Sequence, residues 1–159
     1  MAELIIKDLA TVALDQLQAK LMNTESVSEA AGLAVVSLAT RSFNDPSVRA
    51  APWAPLKEST LLEKIREGTS TAILKRHGLL WRSYRVIETT NDTVRVGSDR
   101  ATPGGGLSLA AIHQFGTKDG RIPARPMLPI WGTPDSNILT PLAVKSVRAA
   151  ALRALNALM

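Results

Sequence analysis

The sequence predicts an α+β fold with N-terminal helices, a central β-hairpin or small antiparallel sheet, and a long C-terminal helix. Three observations carry this. Apolar residues recur at helical spacing near both ends of the chain, the spacing switches to every second residue between 80 and 97, and a proline-rich stretch separates the two regimes. With 159 residues and 45% hydrophobic content the chain has the size and apolar material of one domain, spanning 1–159. Aromatic residues make up only 4%, so the core must rest on Leu, Ile, Val and Ala, and each Trp or Phe in a loop calls for a reason.

The elements follow in order. Residues 4–6 read as a short strand or the lead-in to a helix. Asp8 can cap a first helix whose stripe is Leu9, Ala13, Leu17 and Leu21. Ser26 with Glu29 has capping-box spacing, in which each side chain satisfies the other residue's free amide, and predicts a second helix with the small-sided stripe Val27, Ala30, Ala31, Ala34 and Leu38. Residues 43–57 hold three prolines, whose fixed φ and missing N–H break regular structure; an ordered loop or arm is expected. Thr60 and Glu63 form another capping box, opening a short helix through Arg66 that Gly68 ends. Its charges, Glu58, Glu63 and Glu67 beside Lys57, Lys64 and Arg66, read as a solvated face.

Residues 80–89 alternate with period two, with Leu80, Arg82, Tyr84, Val86 and Glu88 on one face. Asn91 and Asp92 supply a turn and 93–97 alternate again, which predicts a hairpin. Gly104, Gly105 and Gly106 predict a mobile loop; no Gly-Lys-Ser/Thr follows them, so a phosphate cradle is not indicated. Residues 109–116 form a compact turn or short helix ending at Gly116, and the prolines of 117–132 predict extended edge or loop structure. Ile138, Leu142, Val147, Ala151, Leu155 and Leu158 lie close to a 3.6 period over about two dozen residues, the mark of a long amphipathic helix.

The inventory also bounds chemistry. With no cysteine, thiol catalysis, disulfides and thiolate metal sites are excluded. The two histidines, His77 and His113, have no second ligand at metal spacing, no nucleophile stands beside a base, and neither cofactor nor metal is expected. No window approaches the roughly 18 apolar residues of a membrane span, so no membrane contact is expected. The net charge of +5 is uneven: residues 1–50 carry 4 basic and 6 acidic groups, residues 121–159 carry 5 basic and 1 acidic. Lys145, Arg148 and Arg153 on the C-terminal helix are candidates for non-specific contact with DNA in a channel, although helix-dipole complementation and solubility account for them equally.

Two blocks concentrate aromatic, Gly, Arg and Pro residues where neither periodicity explains them: 111–116, AIHQFG, and 122–126, IPARP. With Phe43, Pro46, Trp53, Ala54, Pro55 and Leu56 in the first loop, then Leu74, Gly78, Leu79, Ser83, Val96 and Gly97, they make an ordered set over most of the chain. In this set the sequence resembles the phage virion morphogenesis, or tail-completion S, family, which includes the Mu-like G and P2-like S proteins. It departs from that pattern at Ala50 and Ala51 before the Trp, at Leu109 where a Tyr is common, and at Met127 where a Phe is usual.

The resemblance implies a structural, non-enzymatic virion protein of the head–tail junction, made in the bacterial cytoplasm. It would assemble as a homo-oligomeric ring of six-fold or twelve-fold symmetry and meet other neck, tail-tube or head-connector proteins. An assembly factor absent from the finished particle is the alternative. Trp53, His113, Gln114, Phe115, Arg125 and Pro126 are the candidate subunit or partner interface, since buried aromatics and Arg dominate interface energies.

Overall fold

A computed structural model describes residues 18, 24–102 and 108–158. In order they form helix α1 (Glu25–Arg41), a 3-10 turn (Pro46–Val48), helix α2 (Glu58–Arg66), a second 3-10 turn (Trp81–Ser83), strands β1 (Tyr84–Thr89) and β2 (Val94–Ser98), helix α3 (Leu109–Phe115), strands β3 (Ile130–Gly132) and β4 (Asn137–Leu139), and helix α4 (Pro141–Leu158). The α+β class is as expected. The helix expected at 9–21, the lead-in at 4–6 and the glycines 104–106 lie outside the described residues.

Helix α1 packs against both α4 and the β1–β2 hairpin. Gly32 makes the second contact possible, because a Cβ there would run into the methyl groups of Val94 and Val86. The close approach is worth the roughly 1 kcal/mol of helix propensity that a mid-helix glycine loses relative to alanine. The capping box expected at Ser26 does not form: the helix starts at Glu25 after Thr24, with no side-chain cap. The hydroxyls of Thr24 and Ser28 instead donate to the Asn91 carbonyl, at 2.6 and 3.0 Å, tying the start of the helix to the hairpin turn. The Thr60 box fails likewise, since α2 begins at Glu58 after an uncapped Lys57 and Glu63 pairs with Arg76 at 3.2 Å. At Thr60 a tertiary partner takes the carboxylate that the local box would use, whereas at Ser26 it is the neighbouring hydroxyls of Thr24 and Ser28 that reach the hairpin turn.

Lys64 also departs from the solvated face expected of it. It is buried, and its ammonium donates to the carbonyls of Ser70 at 2.8 Å and Ala72 at 2.6 Å, closing the chain beyond Gly68 onto the helix.

The hairpin is present, antiparallel, with Tyr84 opposite Ser98 and Val86 opposite Val96. Its first strand starts later than the alternation from Leu80 suggests, because residues 81–83 wind into the 3-10 turn. A bulge between Val86 and Glu88 resets the phase. Tyr84 and Val86 turn inward together, whereas Glu88, assigned to the same face, is exposed beside Ile87.

A second antiparallel hairpin, β3–β4, pairs Ile130 with Leu139 and Gly132 with Asn137, beginning in the stretch expected to be extended edge or loop structure. Ile138, which begins the helical stripe in the sequence, sits in β4. Helix α4 starts only at Pro141, where a proline's missing N–H is harmless, and Thr140 Oγ1 accepts from the Ala143 amide at 3.3 Å. The principal core gathers Ala39, Phe43, Trp53, Leu80, Tyr84, Ala110 and Met127, and a smaller one joins Leu38, Val48 and Ala143.

Candidate functional site

The two motif blocks meet around α3. Ser108 caps this helix, its Oγ accepting from the Ala111 amide at 3.2 Å. Gly116 ends it with φ +77°, and a Cβ there would lie 3.0 Å from both Ala124 N and Ile122 O, so only glycine lets the returning chain pass this closely. Beyond it the Thr117 amide donates to Ile122 O at 3.0 Å and the Ile122 amide to Thr117 Oγ1 at 3.0 Å; the Arg125 amide then reaches His113 O at 2.6 Å.

Gln114 completes the closure. Its Oε1 accepts from the amides of Met127 and Leu128, both at 2.9 Å, and its Nε2 donates to Leu128 O at 3.2 Å. The segment it holds is interrupted by Pro123, Pro126 and Pro129, which have no N–H to offer a neighbouring strand. The buried side-chain amide of Gln114 therefore does the work of a peptide group for a segment that cannot join a regular sheet.

Arg125 and Trp53 fasten the proline-rich loop to this knot. Arg125 is 7% exposed, and its Nε donates to Ala54 O at 2.9 Å and its Nη2 to Pro55 O at 3.0 Å. Trp53 returns the connection, its indole N–H donating to Pro126 O at 2.8 Å. Phe43 meets the Trp53 ring edge-on at a centroid distance of 5.6 Å, and the Arg49 guanidinium lies 3.9 Å from its centre. Tyr84 closes the floor by donating its hydroxyl to Met127 Sδ at 3.3 Å, and burial pushes that phenol's pKa up. His113 is half-buried near Arg125: burial, and secondarily the charge of Arg125, hold its imidazole pKa below the usual range, and its Nδ1 is buried with no hydrogen-bond partner among the described residues.

Residues 7–143, which include the loop, the hairpin and both blocks, match the phage virion morphogenesis family. The chain belongs to that family. No curated protein and no solved structure matches it. Membership gives the chain a role in building the phage particle, and the matched segment stops just as α4 begins.

The remaining candidates of this morphogenesis-family chain divide by exposure. Trp53, Gln114, Arg125 and Pro126 are buried, with the polar groups of Trp53, Gln114 and Arg125 bonded inside the chain. Phe115 is half-buried at the edge of an open cleft of about 400 Å³ shared with Pro52, Pro126, Ile130 and Trp131. Trp131 was not singled out by the sequence, yet its indole N–H pins Ala50 O at 3.0 Å, a third anchor for the loop. The rarity of tryptophan was the available signal. Lys145, Arg148 and Arg153 are all exposed on α4 but share no single stripe. Lys145 and Arg153 border the groove against α1, whereas Lys145 and Arg148 border a hollow beside Trp131.

Proposed function

We propose that the protein is a structural, non-enzymatic component of the head–tail junction, where it self-associates into a ring that completes the tail and lets head and tail join. The observation that carries this reading is the family membership over residues 7–143. The knot fits it physically. A chain that must hold a fixed shape between larger rings gains from proline segments and side-chain clamps that order its loops before assembly, because less entropy is then lost on docking. The side chains of Gln114 and Arg125 are engaged in backbone hydrogen bonds rather than aimed together into a reactive cleft. Cyclic symmetry follows from the partners, since tail tube and head vertex are themselves rings.

Imaging of particles made without this chain tests the reading. Separate filled heads and unjoined tails are expected, with rings formed by the isolated protein under negative stain; normally joined particles would contradict it. Mass spectrometry of purified virions should find the chain in every particle. Its absence there would assign it instead to transient assembly.

A further inference from the structure

Two surfaces among the described residues gather large exposed apolar side chains, and their shapes are opposite. Helix α2 is convex: Leu61, Leu62 and Ile65 are 37%, 59% and 58% exposed, and Glu58, one turn before Leu62, extends the same side. The other surface is concave. Helix α4 and the β3–β4 hairpin enclose an open hollow of about 630 Å³ among Trp131, Ile138, Val144 and Leu152, whose exposures run from 45% to 66%. Lys145 and Arg148 stand on its rim, and no acidic residue lines it. Neither these two cations nor Glu58 joins an ion pair among the described residues, whereas Glu63 and Glu67 on the same short helix are both taken by Arg76.

We propose that these surfaces are the two halves of one contact: α2 of one copy seats in the α4 hollow of the next copy, with its Glu58 against Lys145 and Arg148. A helix of nine residues is roughly 13 Å long and presents its side chains at i, i+3 and i+4, the way a short amphipathic helix enters an apolar groove. The occupant is a second copy because the chain itself carries the complement in both shape and charge. The two halves differ, so the contact is head-to-tail, and repetition of a head-to-tail contact closes into a ring when its rotation permits. The inference rests on the ring reading above and assigns its surfaces.

Two double variants and their mixture test it by native mass spectrometry. Leu62→Glu with Ile65→Glu spoils only the helix; Val144→Glu with Leu152→Glu spoils only the hollow. All four positions are exposed, and circular dichroism melts check that each variant stays folded. The wild-type chain should form closed rings, and each variant alone should remain monomeric, its association weakened roughly a hundredfold or more. Mixed together they should pair as one-to-one dimers and stop, since the intact hollow of the first accepts the intact helix of the second and no further contact exists. A charge exchange supplies a second arm: Glu58→Lys and Arg148→Glu should each weaken assembly and recover it when combined in one chain. Rings that persist in either double variant, or monomers that fail to pair on mixing, would overturn this seating and leave the ring reading standing. A hollow variant that forms normal rings but loses DNA retention would give the cations to DNA and overturn it as well. A wild-type chain that is monomeric throughout would remove the ring reading itself.

Discussion

Around Gln114 and Arg125 the chain buries these two polar side chains and satisfies them; along α2 and the outer side of α4 it exposes apolar groups that none of the described residues covers. The residues that carry the family pattern are mostly in the first region. Recognisable motif residues in an assembly protein need not touch the partner. Here Trp53, Gln114, Arg125 and Pro126 hold a proline-rich loop and a proline-rich return segment in one shape, and the large exposed apolar side chains of α2 and α4 are not among them.

Five substitutions or titrations sharpen that contrast, from the largest expected loss of stability to the smallest. Gln114→Leu keeps the volume but strands the Met127 and Leu128 amides and the Leu128 carbonyl. At roughly 1–3 kcal/mol for each unsatisfied buried group, after partial relaxation, a loss of about 4 kcal/mol is expected in urea denaturation. Arg125→Lys retains the charge but reaches only one of the Ala54 and Pro55 carbonyls, so about 2 kcal/mol should be lost and protease should cut the 43–57 loop sooner. Trp53→Phe removes the bond to Pro126 O and some packing, at about 1–2 kcal/mol by the same melt.

A slighter effect attaches to His113. Its folded-state pKa lies below the ordinary 6.5, so the fold favours the neutral ring. That contribution is complete above the unfolded value and is lost as pH falls through the depressed folded value, where the ring gains a proton beside Arg125. Wild-type stability should therefore decline more steeply below about pH 6.5 than that of His113→Gln, as measured by melts across the acid range. By contrast, Leu62→Glu with Ile65→Glu should leave monomer stability within about 0.5 kcal/mol of wild type, since both side chains already face water.

The sequence made the regular parts legible because periodicity reports them directly: the β1–β2 hairpin, the helix ending at Gly116 and the C-terminal helix all stand near where their spacing put them. It misplaced what depends on distant partners. Thr60 carries a local capping signal, yet Arg76 takes the Glu63 carboxylate the box would use; Ser26 lies already inside a helix whose start, at Thr24, is tied by its hydroxyl to the Asn91 carbonyl. Ile138 continues a helical spacing by coincidence of register, and only the pairing of Trp131 with Ile138 makes that residue a strand. The site was half readable. Its blocks stood out by composition, but Gln114 bonding to Met127 and Leu128, or Lys64 turning inward, depends on chain reversals whose geometry no spacing rule encodes.

Hydrogen exchange on the wild-type chain, measured below and above its assembly concentration, tests the division between the two regions most directly. If the knot belongs to the monomer, the amides of Arg125, Met127 and Leu128, which donate to His113 O and Gln114 Oε1, are protected equally in both states, and protection gained on assembly is confined to α2 and α4. Knot amides that exchange freely in the monomer and become protected only on assembly would contradict the account and place the subunit boundary in the knot itself.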